Sequence, residues 1–298
     1  IAESAESDPW ESRFDWKLFH SDIRNAVRFL DNVIEVNYYA LPEIERMHKR
    51  MNRKIGLGVM GEADLLIMLG MSYGSADALM VSDGIGAFLR LNADKASSDL
   101  AGERGSFGAF EGSAVQAQGW VGMRNACRTT VAPTGSTAII VNASTSIEPV
   151  SFLILARDQA GMKMYEVYPP FQEYLDTLPV EAVTGIHKYY FEFNSVQGCP
   201  YMDIKHQELF LQANDVDVEA HVMMQATWQK HIDNSISKTI NMPHSATVDD
   251  VKKAYTMAWD TGCKGITVYR DGCRSDQVLA AGALKVLDGT RMTFSTAD

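Results

Sequence analysis

Apolar residues recur along this chain with two different periods, and the two alternate. Ile23, Val27, Leu30, Val33 and Ile34 fall at helical spacing and predict a helix over 15–39, with Ser21 or Asp22 near its start although the pattern begins earlier. Leu41-Pro42-Glu43 opens a second helix, with proline at a tolerated first-turn position. Residues 62–69 and 75–100 read as helices, and Gly84, Gly86 and Ala87 in the longer one permit close packing. Further helices are expected over 165–177, 203–213 and 219–238, the last from Val222, Met223, Ala226, Trp228 and Ile232. Thr247 followed by Asp249 and Asp250 predicts a capped helix running to Thr261, which Gly262 can end.

Between these lie short apolar runs. Residues 53–60, RKIGLGVM, read as a buried strand, as do 238–243, ending in Pro243, and 264–269. Tyr189 and Tyr190 read as an aromatic strand pair. Residues 105–118 are polar, glycine-bearing loop, and the chain frays after about residue 285. Helices alternating with buried strands predict an α/β fold with a largely parallel sheet, open or closed.

Composition narrows the function. Apolar residues make up 46% of the 298 and charged residues 22%, a globular balance able to bury a large core. The net charge of −11 argues against a nucleic-acid surface, which needs a basic stripe. It leaves room for a small phosphate site built from backbone N–H groups. No apolar run reaches the length of a membrane span, because Glu62 and Asp64 interrupt the best candidate, 55–71. The acidic start, Ile1 to Glu11, is no signal peptide, and without an initiator Met the sequence reads as a piece of a longer protein.

Four cysteines, Cys127, Cys199, Cys263 and Cys273, form no CxxC pair. That disfavours structural zinc and suits a reducing compartment, hence the cytoplasm. His221 and His231 are ten residues apart and make no i, i+4 metal pair; the expectation is no metal bound by this chain. The fifteen methionines read as core filler.

Candidate chemistry concentrates in 119–149. Pro133, Thr134, Gly135, Ser136 and Thr137 place hydroxyls and free N–H groups at a turn leading into a regular element, the makings of an anion nest, with Gly135 allowing close approach. Taken by themselves, the same residues equally describe a turn capped by its own hydroxyls. Asn142 and Glu148 are candidates for a pocket wall or for buried hydrogen bonding. Arg53 and Lys54 are either a phosphate- or cofactor-facing pair or a salt-bridged strand entrance. Asn125-Ala-Cys127 offers a thiol whose simplest reading is a small core residue.

Several blocks, in order, resemble the large chain of ribonucleotide reductases: 29–37 (FLDNVIEVN), 52–61 (NRKIGLGVMG), Arg124-Asn-Ala with 132–137 (APTGST), Ser146-Ile-Glu-Pro149, 233–241 (DNSISKTIN) and 262–272 (GCKGITVYRDG). The resemblance covers roughly 15–280. It implies half of a ten-stranded α/β barrel: an extension over 1–14, the C-terminal half of the reductase barrel over 15–285, and a tail over 286–298. It implies reduction of ribonucleotides to 2′-deoxyribonucleotides by thiyl-radical chemistry, with Pro133 to Thr137 holding the substrate's phosphates and Asn142 and Glu148 near the pocket.

The family's radical motif, Asn-x-Cys-x-Glu, has no convincing copy here, since Thr129 stands where Asn125-Ala-Cys127 would need the carboxylate. No catalytic residue is therefore assigned, and the resemblance implies an N-terminal half as partner, with a homodimer of the whole enzyme as a further expectation. The family's metal-dependent class relays a radical through two adjacent tyrosines near Tyr269, where this chain has Arg270. That favours the adenosylcobalamin-dependent class. The alternatives are a fragment of the metal-dependent class or a non-catalytic nucleotide-binding protein.

Overall fold

The structure, a computed structural model, describes residues 9–159 and 162–273. The expected tail over 286–298 lies outside the described residues. The first elements are α1 (Trp10–Arg13), α2 (Trp16–Val36) and α3 (Pro42–Glu45), the last running into a π-helical turn over Arg46–Asn52. Asp15, not Ser21 or Asp22, caps α2, its carboxylate accepting from Leu18 N at 3.0 Å. The aromatic cluster of Trp10, Phe14, Trp16 and Phe19 follows from that earlier start, packing Phe14, Trp16 and Phe19 together and the latter two onto Phe88. α4 (Glu62–Met68) and α5 (Ala76–Arg104) follow, α5 capped by Ser75, and then the one-turn α6 (Ala114–Ala117) within the expected loop.

α2 buries Ile23, Val27 and Ile34 against α5, which contributes Val81, Ile85 and Leu89. The two helices run parallel: His20 meets Asn92, Arg24 meets Asp99, and Arg28 meets Glu103. Two helices packed side by side and parallel require return segments, and short extended runs supply them.

These runs form one parallel array. Leu57 bridges Thr129, Val131 bridges Ile236, and β3 (Thr239–Met242) pairs with β4 (Thr267–Arg270) in parallel. Backbone bonds extend the pairing, from Ile55 N to Cys127 O (3.0 Å), Thr130 N to Leu57 O (2.9 Å) and Ser237 N to Val131 O (2.9 Å). The spatial order is thus 55–57, 129–131, 236–242, 267–270. The glycines of 53–60 now have a reason: a Cβ on Gly58 would lie 2.3 Å from Thr130 O, so only glycine lets the first two runs approach this closely. Ile55, Val131 and Ile236 from these runs join α2, α5 and Trp228 in the main core.

The described residues hold no closed sheet and few regular strands, so the coarse expectation of a parallel α/β array stands while a barrel half is not completed by them. The clearest departure is the region 150–213. Instead of one helix over 165–177 there is an antiparallel hairpin, β1 (Ile154–Gln159) with β2 (Met162–Val167), followed by α8 (Pro169–Leu175). Tyr168-Pro169-Pro170 explains the break, since prolines fit the first turn of a helix and not its interior. Tyr189 and Tyr190 lie on α9 (Val180–Phe193), not on a strand. Their hydroxyls donate to Gln197 O (2.8 Å) and Gln212 Oε1 (2.7 Å), which ties the helix to the loops behind it. This region has its own core of Leu153, Phe171, Leu175, Ile186, Tyr190 and Phe210.

α10 (Ile204–Leu209) and α11 (Val218–Gln229) are shorter than their apolar patterns, α11 because residues after Gln229 turn to enter the array. α12 (Val248–Asp260) carries the predicted cap, Thr247 and Asp250 bonding each other's backbone N–H. No helix among the described residues is long and apolar enough to cross a membrane.

Candidate functional site

A parallel array gathers the segments that follow its strands at one trailing edge, where α/β proteins bind ligands. Here that edge comprises Val59–Gly61, Ala132–Thr137, Pro243–His244 and Asp271–Gly272. The candidate turn lies in its midst. Thr134 occupies the N-cap position, and α7 (Gly135–Val141) begins directly after it. By helix geometry the N–H groups of Gly135, Ser136 and Thr137 have no partner within the helix. All three residues are exposed, and a Cβ on Gly135 would meet open space.

The turn is not capped by its own hydroxyl. Thr134 makes no side-chain bond to α7 and instead accepts from Ser146 N at 2.8 Å. A hydroxyl that accepts still has its proton to donate. The second loop, 144–148, therefore braces the first. Gly61 N donates to Ser144 O (2.8 Å), Asp64 Oδ2 accepts from Ser144 N (2.6 Å), and Tyr73 donates to Ile147 O (2.6 Å). Tyr168 adds a bond to the other Asp64 oxygen. Ser146 is fully buried at φ 51°, and its Oγ has no hydrogen-bond partner.

The structure separates the two pocket-wall candidates. Asn142 is exposed and ends α7 in the left-handed conformation, φ 53°. Glu148 turns inward: its Oε2 accepts from Lys238 Nζ (2.7 Å) and its Oε1 from Thr239 N (2.6 Å). Lys238, fully buried, also donates to His221 Nδ1 (2.9 Å) and Thr239 O (3.1 Å). His221 Nε2 donates to Ala213 O (2.9 Å), which fixes a neutral imidazole with its Nδ1 lone pair toward the lysine. Burial first, and then the lysine charge, lower the His221 pKa to about 3. Burial likewise lowers Lys238, partly offset by Glu148. No sequence pattern marks the Lys238–His221 contact, since a 17-residue separation has no periodic meaning.

The leading edge of the array is different in kind. Arg53 is the salt-bridged strand entrance, bonding Asp31 through Nε (3.0 Å) and Nη2 (2.8 Å), whereas Lys54 is exposed. Burial would raise the Asp31 carboxyl, but Arg53, Arg124 and Arg104 outweigh it and hold the pKa below its ordinary value. Asn125 donates to Asp31 Oδ1 (3.2 Å) and Arg53 O (2.9 Å) and accepts from Ser97 (2.9 Å). Arg128, 1% exposed, bonds Asp94 at 2.7 Å, and its backbone N–H bonds Asp233 at 2.7 Å.

Cys127 sits on this leading edge, across the array from the turn, with its carbonyl bonded to Ile55 N. Burial, and then Asp233, push its thiol pKa up, which suits a packing residue. Arg270, where a second tyrosine would stand, is tied to Ala246 O (3.0 Å) and His244 O. Among the described residues no group of three or more His, Cys, Asp and Glu is placed to hold a metal ion.

Comparison with known proteins identifies the family. The family described as "Ribonucleotide reductase, barrel domain" matches residues 4–121 and 117–269. A "Vitamin B12-dependent ribonucleoside-diphosphate reductase" of Thermoplasma acidophilum is 40% identical over 271 residues, covering 91% of this chain and 35% of that protein. A protein of the same description from Mycobacterium tuberculosis (strain CDC 1551) is 38% identical over 284 residues, covering 93% of this chain and 40% of its own length. The chain thus spans 35–40% of the length of these relatives. Among solved structures, the "Actinobacillus ureae class Id ribonucleotide reductase alpha subunit" aligns with a TM-score of 0.71 at 22% identity, over 84% of this chain and 46% of that one. At that identity the likeness speaks for the fold, a barrel-type α/β architecture. Because the family match runs through the parallel array, the turn and the loop that braces it, this chain belongs to the ribonucleotide reductase barrel-domain family.

Proposed function

We propose that this chain is part of a ribonucleotide reductase that replaces the ribose 2′-hydroxyl of a ribonucleoside diphosphate by hydrogen, and that it supplies the substrate's phosphate cradle. The carrying observation is the turn itself. Three partnerless helix N–H groups and the exposed side chains of Ser136 and Thr137 converge at the trailing edge, beside a Thr134 hydroxyl free to donate. Such an arrangement binds an anion through donors alone and needs no lysine or arginine. The diphosphate follows the printed descriptions of the relatives.

The parallel runs, on this reading, are half of a ten-stranded barrel. An N-terminal half would complete it and bring the radical and reducing cysteines. The dithiol is oxidised to a disulfide as the 2′-oxygen leaves as water, so electrons balance. The whole enzyme is expected to form a homodimer in the cytoplasm.

The relatives' vitamin B12 dependence points to adenosylcobalamin. When bound, that cofactor supplies by homolysis the radical that starts the reaction. The chemistry of the adjacent surface fits it: Ile139, Ile140 and Val141, 69%, 82% and 55% exposed, form an apolar rim at the end of α7. Those three residues would form one wall for the cofactor. The chain's own part is to bind the phosphates, orient the ribose and keep water from the rim.

The test is deoxynucleotide formation with adenosylcobalamin and a dithiol, for this chain alone and mixed with a matching N-terminal half. Activity only in the mixture is expected. A well-folded complex with no activity would leave a nucleotide-binding protein without the chemistry.

A further inference from the structure

The brace behind the turn carries an inference that rests on the phosphate-cradle reading and deepens it. We propose that Glu148 and Lys238 are a positioning pair: they hold the 144–148 loop in the one shape that sets Thr134 and the start of α7 for phosphate. Substrate affinity then depends on an ion pair that never touches substrate.

The geometry is saturated. Lys238 has three N–H bonds to give and three acceptors, Glu148 Oε2, His221 Nδ1 and Thr239 O. Glu148 receives a second donor from the backbone of β3, at Thr239 N. Its carboxylate is therefore gripped by the strand through side chain and main chain together, and His221 fixes the lysine head from behind. Two residues earlier, Ser146 donates its N–H to Thr134 Oγ1.

One local bond, from Glu148 N to Thr145 O at 2.9 Å, closes the turn around Ser146, and the rest of its support is long-range. Ser146 is a non-glycine residue at φ 51°, a conformation that persists only where surrounding contacts over-determine it. Those contacts are the Gly61 and Asp64 bonds to Ser144 and the Tyr73 bond to Ile147 O on one side, and the Glu148 grip on the other. α7 is only seven residues long and has no side-chain cap, so it has little order of its own to lend the turn. The order must come from the brace, and Lys238 anchors its Glu148 end.

The experiment compares the full 298-residue chain with its E148M/K238M variant, which removes both charges and leaves neither buried alone. Three quantities are read: melting temperature, amide exchange across the chain, and affinity for ADP by calorimetry. We expect a melting temperature within a few degrees of the parent and unchanged protection in α2 and α5. Exchange at Ala138, Ser144, Ser146 and Glu148, whose N–H groups are bonded, should be at least ten-fold faster, and ADP binding at least ten-fold weaker. Wild-type exchange at those residues, or wild-type ADP affinity, would overturn the proposal.

Should the double variant fail to fold, E148Q keeps the shape and the acceptor for Thr239 N. It should still speed exchange at 144–148 several-fold, and no change there would overturn the pair. Ser136→Ala separates the two readings. If it leaves ADP affinity intact, the phosphate reading fails while the exchange result still judges the pair. If it weakens ADP and the double variant does not, the pair alone fails.

Discussion

The two edges of the parallel array are built from opposite materials. At the leading edge the buried charges are paired: Asp31 is shared among Arg53, Arg104 and Arg124, and Asp94 and Asp233 are shared between Arg90 and Arg128. At the trailing edge Ser136 and Thr137 are exposed without partners, and Ile140 is 82% exposed. Saturated charge networks lock strands in register but have no capacity left for a ligand. Unsatisfied donors beside bare apolar surface contribute little to stability and are available to bind. In this chain one edge holds the array together while the other is left with groups to spare.

Substitutions should divide along the same line. Arg128→Met should have the largest effect, about 3 kcal/mol of lost stability, because it removes the fully buried cation and leaves Asp94 and Asp233 to share Arg90 alone. Urea unfolding measures it, and a loss under 1 kcal/mol would mean the leading edge is no lock. Gly58→Ala should come next, at about 1–3 kcal/mol, since its Cβ meets the Thr130 carbonyl rather than a movable side chain.

Acid should then act through the brace. His221 titrates at about 3 when folded and near 6.5 when unfolded, so the unfolded state binds the extra proton between those values. Stability attributable to it is complete above about pH 6.5 and falls as pH drops, by at most ~1.4 kcal/mol per pH unit. Unfolding midpoints at pH 7.5, 6 and 5 should slope accordingly, and His221→Asn should flatten part of the slope. His187, also lowered by burial, accounts for a remainder. An unchanged slope in the variant would show that the imidazole is not held neutral.

Ser136→Ala should have the smallest effect on stability, within ~0.5 kcal/mol, yet weaken ADP binding roughly ten-fold, the value of one charge-assisted hydrogen bond. Equal affinity in calorimetry would sink the phosphate reading of the turn.

The amphipathic helices were legible in the sequence because their cause is local. Ile23, Val27 and Ile34 mark the face of α2, and Thr247 with Asp250 marks the start of α12. The hairpin over 154–167 was not, because β pairing is decided by a partner strand, and a stretch ending in Tyr168-Pro169-Pro170 looks helical from its C-terminal side alone. The turn at Pro133–Thr137 stood out through composition. Of its brace only Glu148 was marked, as a candidate for buried hydrogen bonding; a serine at positive φ carries no sequence mark, and Lys238 reads as an ordinary strand-start lysine until its three acceptors are seen.

The Glu148–Lys238 bond spans 90 residues, and that separation sets an order of events. During synthesis the turn emerges long before its anchor, with α8 to α11 still to come. Contacts so far apart in sequence close late in folding. A nascent or refolding chain should therefore acquire its helices first and nucleotide affinity last, which makes ADP binding a clock for the completion of folding rather than for its onset.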